Sequence, residues 1–76
     1  MSKTFSGKEL VKILSRQFGF YFVSQKGSHV KLRRKMDNKV FTTIVPLHKT
    51  LAPGTFRASL KLGGLDESEF WKIIEK

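Results

Sequence analysis

Two histidines 19 positions apart are the side chains of this 76-residue chain best suited to move a proton near neutral pH. An unperturbed imidazole has a pKa of about 6.5, so it can give or take a proton there. His29 lies in the stretch QKGSHVKL, directly behind Gly27 and Ser28 and close to Lys26, Lys31 and Arg33. His48 follows in the stretch VPLH. A histidine among cations suits phosphodiester chemistry. RNA can be cut by its own 2′-hydroxyl, so the protein need only move protons and offset the negative charge that develops on phosphorus. His29 fits the first task, and Lys26, Lys31 and Arg33 fit the second. Ser28 or the Gly27 backbone N–H would add a hydrogen bond to the phosphate. Two proton transfers are best served by two groups, which makes His48 the candidate second one. The plainer alternative is that Lys26-Gly27 is only a hairpin turn, and that His48 is a loop residue bonded to backbone.

The rest of the composition narrows the chemistry. The chain has no cysteine, and its six acidic residues are poorly placed to join the histidines around a metal, so neither a disulfide nor a metal site is expected. No cofactor is expected either. No apolar run reaches the roughly 20 residues of a membrane span, and the N-terminus lacks the apolar segment of a signal peptide. A soluble cytoplasmic protein with a single domain over residues 1–76 is the expectation, with a monomer as its free state.

Charge points to the partner. Fifteen Lys and Arg oppose six Asp and Glu, for a net charge of +9. Residues 1–65 carry thirteen basic side chains against Glu9 and Asp37, or +11, while residues 66–76 carry a net −2. A body this positive repels itself and is relieved by a polyanion that releases counterions on binding. Nucleic acid is therefore the expected partner, with a merely solubilising basic surface as the alternative. A membrane is not expected, because no helix can combine a wide apolar face with a basic one and still supply the core.

Several elements must position these groups. Ser6-Gly7-Lys8-Glu9 fits a capping box, and Leu10, Val11, Ile13, Leu14 and Phe18 recur at helical spacing behind it. Lys8, Lys12 and Arg16 form a basic row on another face of that helix, either tracking phosphates or simply solvated. Gly19 is its expected stop. Strands are expected over residues 20–25, 28–35 and 40–46. A Lys26-Gly27 turn would pair Val23 with Val30 and Tyr21 with Leu32, leaving Phe22, Ser24, His29, Lys31 and Arg33 on the opposite, open face. Phe20 and Phe22 would then be available to stack on unpaired bases. An odd loop at Met36-Asp37-Asn38-Lys39 would align Leu32 with Ile44, which is the expected register, and an even one would align it with Thr43; either way residue 29 should lie opposite residues 45–47. Thr55 is expected to cap the next helix, with Phe56 and Leu60 buried and Arg57 and Lys61, one turn apart, as further RNA-binding candidates that would meet phosphates. Gly63-Gly64 ends it. A last short helix, capped by Asp66 with Glu69 completing a box, carries Phe70, Trp71, Ile73 and Ile74, and Trp71 is expected to anchor the core.

The order is α-β-β-β-α plus a short C-terminal helix, an α+β fold in the order of the double-stranded-RNA-binding domain, with helices on one face of a three-stranded antiparallel sheet. The chain resembles the HicA toxin family, the messenger-RNA-cleaving partners of toxin–antitoxin pairs. The resemblance rests on GKELVKILSRQFGF, QKGSH, TIVPLH and LAPGTFRASLKLGGLDESEF, in that order over nearly the whole length. It implies a double-stranded-RNA-binding-like fold, ribonuclease activity on messenger RNA, and neutralisation by a cognate HicB-like antitoxin. It places the family's catalytic histidine on His29, the Gly-Ser before it on Gly27 and Ser28, and the family's Pro-x-His element on Pro46 and His48. Lys31 departs from the apolar or aromatic residue common two places after that histidine, which adds positive charge beside it. Two other readings keep the basic residues without the chemistry: a non-catalytic RNA-binding module of the same fold, and a small structural protein of a ribonucleoprotein.

Overall fold

The computed structural model describes residues 4–75, in the order α1 (Gly7–Gln17), β1 (Tyr21–Lys26), β2 (His29–Met36), β3 (Lys39–Pro46), α2 (Pro53–Leu62) and α3 (Glu67–Ile74). The α+β arrangement and element order are those expected. At α1 the capping box is complete: Ser6 Oγ accepts from the Glu9 N–H at 3.0 Å, and Glu9 Oε1 accepts from the Ser6 N–H at 2.8 Å. The other two helix starts differ from expectation. Ala52, not Thr55, is the N-cap of α2, and Pro53 opens the helix, because proline's fixed φ suits the first helical position and its missing N–H costs nothing there. Asp66 does sit at the N-cap of α3, but its carboxylate accepts from Ser68 Oγ at 2.8 Å and makes no box with Glu69.

The sheet runs β1-β2-β3, antiparallel throughout. Both hairpins close on two-residue loops, and both registers differ from expectation. In the first, Lys26 pairs with His29, so the loop is Gly27-Ser28. Gly27 has φ 58°, the value a II′ loop asks of its first central residue. Gln25 therefore faces Val30, and a bulge at Val23 resets the pairing to Phe22 with Leu32 and Tyr21 with Arg33. In the second, Asp37 and Asn38 both take positive φ, as a I′ loop requires. This aligns Leu32 with Thr43 rather than Ile44, while His29 lies opposite Pro46, within the expected 45–47.

The three helices supply one core with the covered face of the sheet. Leu10, Leu14, Leu60 and Phe70 meet Val30, Leu32 and Val45, all buried. Phe70 is the hub of an aromatic cluster, with ring centroids 5.3–5.9 Å from Phe5, Phe18, Phe56 and Trp71. Trp71 packs against this core as expected, with Nε1 donating to Glu67 at 3.1 Å. Thr43, placed inward by the register, is satisfied: Oγ1 donates to the Ser59 carbonyl at 2.6 Å, while Ser59 Oγ donates to the Ile44 carbonyl at 2.9 Å. Phe20 is in the core as well, 4% exposed, which removes it as a base-stacking residue, and Phe22, expected on the open face, lies opposite the inward Leu32 instead, although it is exposed.

Candidate active site

The parity of β2 sorts its side chains by face. Val30, Leu32 and Arg34 turn inward and are buried, whereas His29, Lys31, Arg33 and Lys35 stand on the face that no helix covers. That assignment survives the shift in register, because it depends only on alternation within β2. His29 is exposed, at the end of the strand, paired on one side with Lys26 and on the other with Pro46. The end is tied down by backbone bonds. Leu47 donates to the Ser28 carbonyl at 2.6 Å, and Gly7 donates to the His48 carbonyl at 2.9 Å. A Cβ on residue 7 would overlap the Pro46 carbonyl, so glycine is what lets the first turn of α1 close onto this loop.

Lys26, Gly27, Ser28, His29 and Lys31 thus form one strip along the first hairpin, joined by Pro46 and by the His48 backbone that the first turn of α1 holds. Among the described residues, neither imidazole is hydrogen-bonded to another side chain or to backbone, so both are free to meet a substrate. Arg33 Nε donates to Thr42 Oγ1 at 3.0 Å, which holds its guanidinium against the sheet.

Other candidates lie elsewhere. Lys12 and Arg16 are exposed on α1 and Lys61 on α2, within the helical layer on the opposite side of the sheet from Lys31 and Arg33. Arg57 faces α3, where its Nε lies 3.4 Å from Glu67 Oε1. A cleft of about 240 Å³ lies between Phe5, Phe56 and Trp71, mostly apolar but edged by Arg57 and Glu67, and without a histidine. The histidines stand instead on open surface, which suits a polymeric substrate better than a small one.

One basic residue is structural in a way that the sequence pattern hid. Arg34 is 6% exposed; its Nε donates to the Gly63 carbonyl at 3.2 Å and its Nη2 to the Gly64 carbonyl at 3.1 Å. The guanidinium lies 5.0 Å from the Phe20 ring centroid and 5.7 Å from that of Phe41. Burial pushes its pKa below the ordinary arginine value, opposed by the charge of Glu69. The available signals were its inward parity on β2 and the Gly63-Gly64 helix end, whose carbonyls need donors.

A family model described as "HicA toxin of bacterial toxin-antitoxin" matches residues 7–65. The chain belongs to the HicA toxin family. The HicA match takes in α1, the sheet, both histidines and α2, and it ends at Leu65, before α3. Among curated proteins, none matches the chain. Among the described residues, no group of three or more His, Cys, Asp or Glu side chains could hold a metal ion, and no helix is long and apolar enough to cross a membrane.

Proposed function

We propose that this HicA-family chain is the toxin of its pair, acting in the cytoplasm as a metal-independent endoribonuclease on messenger RNA, with His29 as its catalytic residue. The observation that carries the reading is an exposed imidazole without a protein partner, held at a tied strand end beside Lys26 and Lys31. In the reaction the substrate's 2′-oxygen attacks the adjacent phosphorus, the P–O5′ bond breaks, and a cyclic phosphate and a 5′-hydroxyl result. His29 takes the proton from the 2′-hydroxyl or delivers one to the departing 5′-oxygen, and His48 is the candidate for the other transfer. Lys26 and Lys31 offset the charge growing on the phosphorane, and Ser28 supports it by donating its hydroxyl hydrogen.

A HicB-like antitoxin with an acidic surface is the protein partner we assign to this strip, since complementary charge speeds capture. The test is expression of the chain alone in a bacterium, with sequencing of RNA ends. Growth arrest with cyclic-phosphate ends, lost in His29→Ala and unaffected by EDTA in a purified assay, supports the reading. Harmless expression and intact RNA would favour a non-catalytic RNA-binding module.

A further inference from the structure

The uncovered face of the sheet carries a file that the active-site strip does not use up. Along β2 the outward residues are His29, Lys31, Arg33 and Lys35, a cation-forming side chain at every second position. Two residues of strand advance about 6.6 Å, close to the separation of successive phosphates along an extended single strand. Neither β1, β2 nor β3 contains an Asp or Glu. Two of the acids of α3 face cations on the helical side instead: Glu67 pairs with Arg57, and Glu69 acts on Arg34. The file is therefore uncompensated where it is exposed.

Apolar surface runs beside it. Tyr21 lies directly opposite Arg33 and is 53% exposed, and Val40 lies opposite Lys35 and is 59% exposed. Ile44, opposite Lys31, is half-buried on the same face. An aromatic ring beside a row of cations is the arrangement by which proteins hold unpaired nucleic acid: bases stack on the ring while the backbone tracks the charges. A duplex offers no unstacked base to Tyr21.

We infer that the open sheet face binds single-stranded RNA lengthwise along β2, with phosphates over Lys31, Arg33 and Lys35 and a base on Tyr21, and feeds the scissile bond to His29. This deepens the ribonuclease reading and rests on it for its last step. The binding itself does not depend on cleavage, and the test is built on that separation.

The probe is a short fluorescein-labelled 2′-O-methyl oligouridylate, which has no free 2′-hydroxyl and stays intact whether or not His29 is catalytic. A blunt 2′-O-methyl hairpin duplex is the comparison, and affinity is read by anisotropy over a salt series. The single strand is expected to bind more tightly than the hairpin. Lys31→Gln combined with Lys35→Gln should weaken it and reduce the slope of log affinity against log salt by about 1.4, at about 0.7 per phosphate contact. Tyr21→Ala should weaken it about 5- to 150-fold, the range for one stacked base. Lys31→Arg with Lys35→Arg should restore binding, and Lys72→Gln on α3 should leave it unchanged. Tighter binding of the hairpin overturns the inference. So does a loss of affinity that follows Lys8→Gln, Lys12→Gln and Arg16→Gln while the sheet variants bind normally, which would leave the file to a protein partner. Cleavage by His29→Ala, measured separately on natural RNA, would remove the catalytic assignment without touching this result.

Discussion

His29 stands directly opposite Pro46 across the β2–β3 ladder, and one residue further on Leu47 donates its N–H to the Ser28 carbonyl at 2.6 Å. The histidine is therefore placed by a pair of chain segments far apart in sequence, and the Pro-Leu-His element does positional work whether or not His48 moves a proton. Because the closing turn is Gly27-Ser28, the orientation of His29 depends on the positive φ of Gly27, two residues before it.

No atom lies within 4 Å of where a Cβ on Gly27 would be. Gly27→Ala therefore meets no clash and costs only the conformational penalty, about 1–3 kcal/mol. We expect a modest fall in thermal stability accompanied by a larger fall in cleavage, as the residue ahead of His29 shifts. Unchanged cleavage would show that the turn geometry does not set the position of the imidazole.

Arg34 is expected to behave as a structural residue despite its charge. Arg34→Ala leaves the Gly63 and Gly64 carbonyls without their donors and opens space beside Phe20 and Phe41. A hydrogen bond to a charged group is worth about 1.5–3 kcal/mol, so urea denaturation should show a loss of at least that size. Arg34→Lys should rescue little, because an ammonium cannot bridge two carbonyls as the planar fork does. Near-parent stability of Arg34→Lys would mean that charge alone matters there.

How much of this was legible in the sequence follows from which signals were local. The capping box at Ser6 and Glu9, the alternation that puts His29 outward, and the order of elements all depend on neighbours in the chain, and all are found in the structure. The registers were missed because each turned on a single residue of loop: Gly27-Ser28 rather than Lys26-Gly27, and Asp37-Asn38 with both residues at positive φ. The bulge at Val23 then moved Tyr21 from the expected covered face to a position beside Arg33. The inward parity of Arg34 was legible on β2, but its partners, the carbonyls of Gly63 and Gly64, lie 29 and 30 positions away, which no local pattern announces. The α1 row of Lys8, Lys12 and Arg16 was visible as a row, but only the packing shows that Lys12 and Arg16 lie across the sheet from Lys31.

Phe70 tests the outlying helix. It lies beyond the stretch matched by the family model, yet it is fully buried against Phe5, Phe18, Phe56 and Trp71. Phe70→Ala should cost about 3–5 kcal/mol, against a total of about 4–11 kcal/mol for a chain of this length. Calorimetry should find a large drop in Tm or no cooperative transition. A shift of only a few degrees would show that α3 is dispensable to the core.

The most direct measurement is cleavage of natural RNA by purified His29→Ala beside the parent chain and His48→Ala, with melting curves for all three. His29 projects from the uncovered face and fills no cavity, so its loss should change stability by no more than about 0.5 kcal/mol. Cleavage should fall about 100- to 10,000-fold, the usual contribution of a general acid or base, and a comparable fall in His48→Ala would assign the second proton transfer to it. A folded His29→Ala chain that cuts RNA at the parent rate would contradict the account.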